Sequence, residues 1–180
     1  MRCFFLIAFF SSSVLLCQKT ILETPQGKYY KDKRLNDYLG TWQYNSGDKL
    51  FKIKLEPHKI VVGRIAMDII LGSYLYVKNR DTIHNSIRNQ YSFKYDNSNS
   101  FGGHMENDIE NNLILNFKDF SYKKNGTARI HFLNENKTKA KWILSMYERE
   151  QLRILDDSSP IIPSEGFSVP IEMILTKNDK

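Results

Sequence analysis

The feature that most limits what this chain can fold into is a two-residue alternation of apolar and polar side chains, which begins after residue 38. Phe51, Ile53 and Leu55, for example, alternate with two lysines and a glutamate. Because successive side chains of a strand point to opposite faces, this period predicts strands that bury one face. The same alternation recurs in later segments, namely 113–117, 129–133, 141–146 and 169–176. Residues 71–77 are apolar at both parities, so the sequence leaves their inward face open.

Short strands joined by local turns predict the fold class. Asn125-Gly126 lies between two strand patterns, and this pair supplies the positive backbone angles of a two-residue turn, so we expect a tight hairpin there. Residues 31–38 predict one short helical turn before the first strand. We therefore predict an all-β fold with about eight to ten strands and little helix. The expected architecture is a single antiparallel up-and-down barrel, because closure removes exposed strand edges. A two-sheet sandwich is the structural alternative.

The beginning of the chain has the pattern of a secretory signal. Arg2 precedes apolar residues at 3–10 and 14–16, and this stretch is shorter than the roughly 20 residues that span a bilayer. No later segment is long enough either, so we expect no transmembrane segment. We predict cleavage between Cys17 and Gln18, with lipid anchoring at Cys17 as one alternative and an uncleaved core segment as another. The predicted organisation is a signal peptide at 1–17, an N-terminal leader at 18–35 and a barrel domain at 36–178.

Export changes the chemistry that the cysteines can supply. Both cysteines, Cys3 and Cys17, lie in the predicted signal, so ordinary cleavage leaves none in the mature chain. The exported protein, whether periplasmic, at the cell surface or secreted, would then have no disulfide, no thiolate metal site and no cysteine nucleophile. Its stability must come from an ordinary hydrophobic core, for which the remaining length suffices.

The rest of the chain carries no recognisable catalytic or metal-binding motif. The four histidines lack the spacing of a helical zinc site, and His104-Met105-Glu106 lacks the Cys-x-x-Cys that completes a deaminase site. No serine sits in a Gly-x-Ser-x-Gly elbow, and there is no glycine-rich phosphate loop. We therefore expect no catalytic residue, no metal, no cofactor and no enzymatic activity. An enzyme would need groups such as paired carboxylates held across a cleft, which spacing along the chain does not show.

The net charge of +6 comes mainly from lysines spread over the predicted strands and turns. Lysines that alternate with apolar residues are typical of the solvated face of a sheet. Two local basic runs, 123–124 and 137–141, offer the alternative of a patch that contacts an acidic polysaccharide or an anionic membrane surface. Nucleic-acid binding would want a basic patch interleaved with stacking aromatics, but export makes nucleic acid an improbable target, so we expect no nucleic-acid partner.

Aromatic residues are the most suggestive group in the barrel segments. Tyrosines that point into a barrel offer apolar bodies and polar tips to an amphipathic ligand. An eight-stranded barrel can hold one small ligand or fill its interior with side chains. The candidate lining residues are Tyr44, Phe51, Tyr74, Tyr76 and Trp142. The competing interpretation is that these residues fill the core.

A Gly-x-Trp pair, Gly40 and Trp42, opens the first predicted barrel strand. Three stretches accompany it in order, which are 38–44 followed by 51–53, 72–79 followed by 83–86, and 167–177. Together they resemble a family of small, exported, uncharacterised bacterial proteins, a domain of unknown function with a lipocalin-like barrel, over about residues 36–178. The resemblance implies that fold, export, a structural plug at one barrel end made by Gly40 and Trp42, and no catalytic residue. Arg80 departs from the family pattern, in which we expect Gly after Asn79.

Two functions are consistent with these observations. The first is non-catalytic binding of a small apolar or amphipathic ligand inside the barrel. The alternative is a cell-envelope structural module, or a protein- or glycan-interaction module, with a filled core. A cavity lined by the aromatic candidates would favour the first, and a filled barrel with an exposed apolar or basic patch would favour the second. The expected partner is accordingly a small apolar ligand or an envelope component.

Overall fold

A computed structural model describes residues 29–87, 101–106, 111–146 and 166–178. The described chain contains one 3-10 helix, Lys33–Tyr38, at the position of the helical turn that the sequence predicts. It also contains ten strands, which are β1 Tyr29–Tyr30, β2 Gly40–Ser46, β3 Lys49–Val62, β4 Ile65–Lys78, β5 Asp81–Asn85, β6 Phe101–Met105, β7 Asn112–Asp119, β8 Lys124–Phe132, β9 Lys139–Met146 and β10 Glu172–Asn178. The predicted signal peptide, the bond between Cys17 and Gln18 and most of the predicted leader lie outside the described residues.

Eight of the strands form a closed antiparallel barrel. The order around the wall is β2, β3, β4, β6, β7, β8, β9 and β10, and β10 pairs with β2 to complete the circle. The pairs that join β4 to β6 are Ile70 with Gly103, Leu71 with Gly102 and Gly72 with Phe101. The short strand β5 pairs with β4 outside the barrel path. The prediction of a single antiparallel up-and-down barrel of lipocalin-like type is confirmed.

The two-residue period places one set of side chains inside the barrel and the other in solvent. On β3, Phe51, Ile53 and Leu55 are buried, whereas the lysines between them are half exposed on the outer wall. On β4, Tyr74 and Tyr76 are buried and lie opposite Ile53 and Phe51. Because directly opposed residues share a face, the tyrosines of β4 point inward, which settles the parity that the sequence left open.

The 3-10 helix lies across one end of the barrel, where it contacts β3 and β6. Its first turn is capped by Asp32, whose carboxylate accepts a hydrogen bond from the backbone N–H of Arg34 at 3.0 Å. Leu35 and Tyr38 are the buried residues of the helix. Nowhere in the described residues is there a helix with the length and apolar character needed to cross a bilayer.

Beyond the barrel wall, β3 and β4 continue as a two-stranded ribbon, residues 58–69, which we call the arm. β2 pairs with β3 only as far as Leu55 and β6 pairs with β4 only at residues 70–72, whereas β3 and β4 continue through five pairs from His58–Ile69 to Val62–Ile65. At about 3.3 Å per residue, the arm is about 17 Å long. Gly63 has φ 61°, which glycine adopts without strain, and begins the two-residue turn at the tip. The sequence patterns above did not predict this element.

The edge of β4 that faces away from β3 has three partners in succession. β1 pairs with it in parallel, with Tyr29 opposite Ala66. β6 follows at residues 70–72 and closes the barrel, and β5 pairs with residues 75–78. Since β1 begins at Tyr29, ordered structure already occurs within the segment predicted as a leader.

The prediction of a tight hairpin at Asn125-Gly126 is wrong. Both residues lie inside β8, and the reversal between β7 and β8 is the turn at 120–123. The carboxylate of Asp119 accepts hydrogen bonds from two backbone N–H groups of that turn, at 3.0 and 3.1 Å, and so fixes its geometry. Gly126 is required by packing instead, because a Cβ there would lie 2.5 Å from the ring of Phe167.

The turn between β4 and β5 is made by Asn79 and Arg80, whose φ angles are 53° and 71°. Positive φ at both central residues is the geometry of a type I′ hairpin turn, which Asn tolerates and which Gly adopts without strain. Arg80 therefore departs from the Gly expected in the family pattern without changing the turn, but it holds a backbone conformation that its side chain disfavours.

Candidate functional site

The middle of the barrel is filled by four aromatic rings that form a closed circuit, which we call the waist. Phe51 of β3 contacts Tyr74 of β4 at 5.8 Å between ring centroids, and Tyr74 contacts Phe117 of β7 at 5.1 Å. Phe117 contacts Trp142 of β9 at 5.3 Å, and Trp142 returns to Phe51 at 5.4 Å. All four side chains are fully buried. Because rings from opposite walls are in contact, the interior is occupied by protein at this level.

The end of the barrel that lies under the 3-10 helix is closed by Trp42. Its indole Nε1 donates a hydrogen bond to the carbonyl oxygen of Tyr38 at 2.8 Å, and its ring lies 6.0 Å from that of Phe132. Tyr38 in turn stacks on Phe132 at 4.3 Å, and burial, with the charge of Asp37 as a smaller cause, raises the pKa of its hydroxyl. Trp42 thus lies at one end of the barrel, and its role as a plug stays a prediction from the family resemblance. Gly40 precedes it with φ 112°, a conformation that side chains rarely adopt.

The opposite end of the barrel carries the other predicted lining residues. Tyr76 is buried and its ring centroid lies 6.5 Å from that of Phe51, so it forms the layer next to the waist. Burial raises the pKa of the Tyr76 hydroxyl, and the charge of Asp48 adds to this. Tyr44 is partly buried and packs against the core. Four of the five predicted lining residues therefore belong to one buried cluster, three of them in the waist, and Tyr44 packs against it.

A polar group beside this end was not predicted from the sequence. The ring of His84 packs against those of Tyr74, at 4.5 Å, and Phe120, at 4.9 Å. Burial lowers the pKa of His84, and the charge of Asp119 opposes this in part. Asp119 is fully buried, and its carboxylate also accepts a hydrogen bond from the hydroxyl of Ser168 at 2.8 Å. These residues are far apart along the chain, so spacing gave no signal that could have found the group.

The hydrogen bonds of Asp119 define what this polar group does. They hold the turn at 120–123 and tie the segment before β10 to the barrel, so the carboxylate is committed to structure. Across the described ranges, no set of three or more histidine, aspartate or glutamate side chains is arranged to hold a metal ion.

Some buried polar atoms have no hydrogen-bond partner among the described residues. The indole Nε1 of Trp142, inside the barrel, and Nε2 of His84 are two of them. A buried donor without an acceptor costs about 1–3 kcal/mol, so such an atom is either a cost of packing or a point of attachment for a bound molecule. Trp142 is the one of these two that lies at the waist.

Apolar side chains are also exposed outside the barrel. On the arm, Val61 is 68% exposed and Val62 is 59% exposed. At β9 and β10, Ile174 is 55% exposed on the outer wall near the exposed Ile143, and Ile171, which immediately precedes β10, is 58% exposed. We call these two groups of exposed apolar side chains, one at the tip of the arm and one at β9 and β10, the two apolar patches.

Comparison with known proteins gives a family but no activity. No curated protein and no solved structure matches the chain. One family model matches residues 1–178, which is nearly the whole length, and its description is a family of unknown function, DUF6705. The chain with this filled barrel and projecting arm therefore belongs to the family of unknown function DUF6705.

Proposed function

We propose that this protein is an exported, non-catalytic interaction module of the cell envelope, which acts through its outer surface. The observation that supports this role best is the waist, since four rings in mutual contact leave the centre of the barrel to protein side chains. A barrel packed in this way is a rigid scaffold for the side chains on its outer surface. The two exposed apolar patches are the regions of the outer surface that water solvates least well.

Export enters the proposal through the N-terminal sequence pattern. The test is N-terminal sequencing of protein recovered from its native source. We expect a mature start at Gln18, or a blocked and acylated Cys17 in the lipid-anchored alternative. Recovery of a chain that still begins at Met1, from the cytoplasm, would contradict export.

The surface role is tested by fractionating native cells into envelope and soluble extracts. We expect the wild-type protein to fractionate with the envelope, and the surface double variant Val61→Thr/Val62→Thr or its wall counterpart Ile171→Thr/Ile174→Thr to shift to the soluble extract. The waist variant Phe117→Leu serves as the control. It should lower the free energy of unfolding by about 1–2 kcal/mol and leave the fractionation unchanged. Release by the waist variant alone would contradict a role of the surface.

A second candidate function is favoured by one specific observation, the unpartnered Nε1 of Trp142 inside the barrel. In this case the protein binds a small amphipathic molecule next to the waist, with an acceptor atom on the indole N–H and Tyr76 and Tyr44 around its apolar part. Mass spectrometry under non-denaturing conditions on native-source protein is the test. A molecule bound one to one in the wild type, and lost in Trp142→Phe, is expected. Repeated recovery of the unliganded protein would count against this candidate.

A further inference from the structure

The arm projects beyond the wall of the barrel and ends in a turn that is apolar on both faces. Adjacent residues of a strand point in opposite directions, so Val61 and Val62 present their side chains on opposite sides of the ribbon. Val61 lies opposite Ala66, and Val62 lies opposite Ile65. A partner that covers one face of the ribbon would leave the other valine in water. A surrounding apolar medium would cover both.

The apolar character extends along one face of the arm. Ile60 lies opposite Met67 there, one step behind the pair of Val62 and Ile65. Ile69 continues the same face toward the barrel, and these side chains are half exposed rather than buried in the core. The apolar surface is therefore continuous from the tip inward, and its most exposed part is the tip itself.

Basic and aromatic residues form a collar behind the apolar tip. Arg64 is exposed in the turn, and Lys59 is exposed with its Nζ 4.0 Å from the centroid of the Tyr29 ring. The hydroxyl of Tyr29 donates a hydrogen bond to Asp68, which lies opposite Lys59, so this acidic side chain is held by the tyrosine. Tyr30 is also exposed beside the arm. Tyrosine, lysine and arginine are the residues that settle at the boundary between lipid and water.

We propose that the tip of the arm docks on an anionic lipid bilayer. Val61 and Val62 enter the boundary between head groups and acyl chains, while Lys59 and Arg64 contact anionic head groups. This inference rests on the proposed surface role and names the partner for the arm. Lipid satisfies the two observations together, because acyl chains can surround a tip that is apolar on both faces, and anionic head groups complement the basic collar.

The experiment is flotation of the full chain with two sets of vesicles, pure phosphatidylcholine and phosphatidylcholine with about one third phosphatidylglycerol. The wild type should bind the anionic vesicles and bind the neutral ones much less. Val61→Thr/Val62→Thr should lower the partition coefficient at least tenfold. Lys59→Gln/Arg64→Gln should lower it by about 25-fold on anionic vesicles, since each basic residue near the surface contributes about fivefold, with little effect on neutral vesicles.

The matched control is Ile171→Thr/Ile174→Thr, which removes the same kind of side chain at nearly the same exposure from the wall of the barrel. It should bind anionic vesicles as the wild type does, and thermal unfolding should show that all variants fold. Equal loss of binding in the arm and wall variants would overturn the proposal, as would a wild type that binds neither set of vesicles.

A second copy of the chain is the competing occupant of the tip. Sedimentation of the wild type that reveals a dimer, disrupted by Val61→Thr/Val62→Thr and formed without any vesicle binding, would replace lipid by self-association. The proposed surface role would survive that result. The proposed surface role would be contradicted by a different result, in which neither surface variant changes the fractionation of the protein in native cells.

Discussion

The indole nitrogen of Trp42 donates a hydrogen bond to the backbone carbonyl of Tyr38, 2.8 Å away and four residues earlier in the chain. This bond joins the first barrel strand to the helix that covers the barrel end. The second tryptophan, Trp142, is equally buried but its Nε1 has no partner among the described residues. The two indoles therefore form a natural pair for comparison.

We expect Trp42→Phe to destabilise the protein more than Trp142→Phe. Both changes remove the same atoms from a fully buried site, but only the first leaves a buried carbonyl without its donor, which costs about 1–3 kcal/mol. Urea unfolding of both variants measures the difference in free energy of unfolding. Equal losses would show that the hydrogen bond to Tyr38 contributes nothing beyond packing.

Arg80→Gly should stabilise the protein. Arg80 has φ 71° in a type I′ turn, and glycine adopts that conformation without the steric cost of a Cβ. We expect a gain of about 0.5–1 kcal/mol in the free energy of unfolding, seen as a higher urea midpoint. Asn79→Gly is the control, and its gain should be smaller because asparagine tolerates positive φ. A destabilised Arg80→Gly variant would mean that the arginine side chain makes a contribution larger than the strain.

Asp119→Ala should be one of the most destabilising single changes outside the aromatic core. The buried carboxylate accepts hydrogen bonds from the turn at 120–123 and from Ser168, and its removal leaves these partly buried donors without their acceptor. We expect a loss of about 3 kcal/mol or more, measured by chemical unfolding. Ser168→Ala removes one donor and keeps the acceptor, so its loss should be about 1 kcal/mol. Similar losses in both variants would contradict the central role of the carboxylate.

Acid should weaken the fold partly through His84. Burial lowers its pKa, so the folded state favours the neutral imidazole. The stabilisation is complete above the unfolded pKa of about 6.5 and is lost as the pH falls through the lower folded pKa. His84→Phe keeps a ring packed against Tyr74 and Phe120, and we expect it to reduce the drop in Tm between about pH 7.5 and about pH 5.

The control for this measurement is His131→Phe, at a half-exposed position on β8. It should leave the acid-dependent drop in Tm as it is in the wild type. If His84→Phe and the wild type lose the same Tm on acidification, His84 has no part in the acid sensitivity of the fold.

The sequence predicted the parts of the fold that depend on local pattern. Apolar and polar residues alternate at 51–55 and in the later strands because each strand buries one face. The strands close into a barrel because closure leaves no strand edge unpaired. The arm was not predicted, because residues 57–70 alternate poorly and carry apolar side chains on both faces near the tip. The turn at 120–123 was not predicted either, because its geometry comes from the side chain of Asp119. Asn125-Gly126 offered a stronger local turn signal at the wrong position.

The candidate site was predictable only in part, for a similar reason. The period of the strands indicates that Phe51 and Trp142 point inward. Whether they leave a cavity depends on the distance across the barrel, 5.4 Å between their centroids, which no local pattern encodes. The placement of His84 beside Asp119 depends on the register of strands that are distant along the chain, and the sequence alone does not fix it.

The short seam between β4 and β6 has a mechanical consequence. Three residue pairs join these strands in the described chain, whereas eight pairs join β7 to β8. Two of the three pairs include Gly102 or Gly103, and in the third Gly72 meets the ring of Phe101 so closely that a Cβ would lie 2.3 Å from it. The seams between β6 and β7 and between β2 and β10 also have three pairs each in the described chain, so β6 is held by short seams on both sides. We therefore expect the wall to open at β6 before it opens between β7 and β8, with the backbone amides of residues 70–72 exchanging hydrogen ahead of those that join β7 to β8.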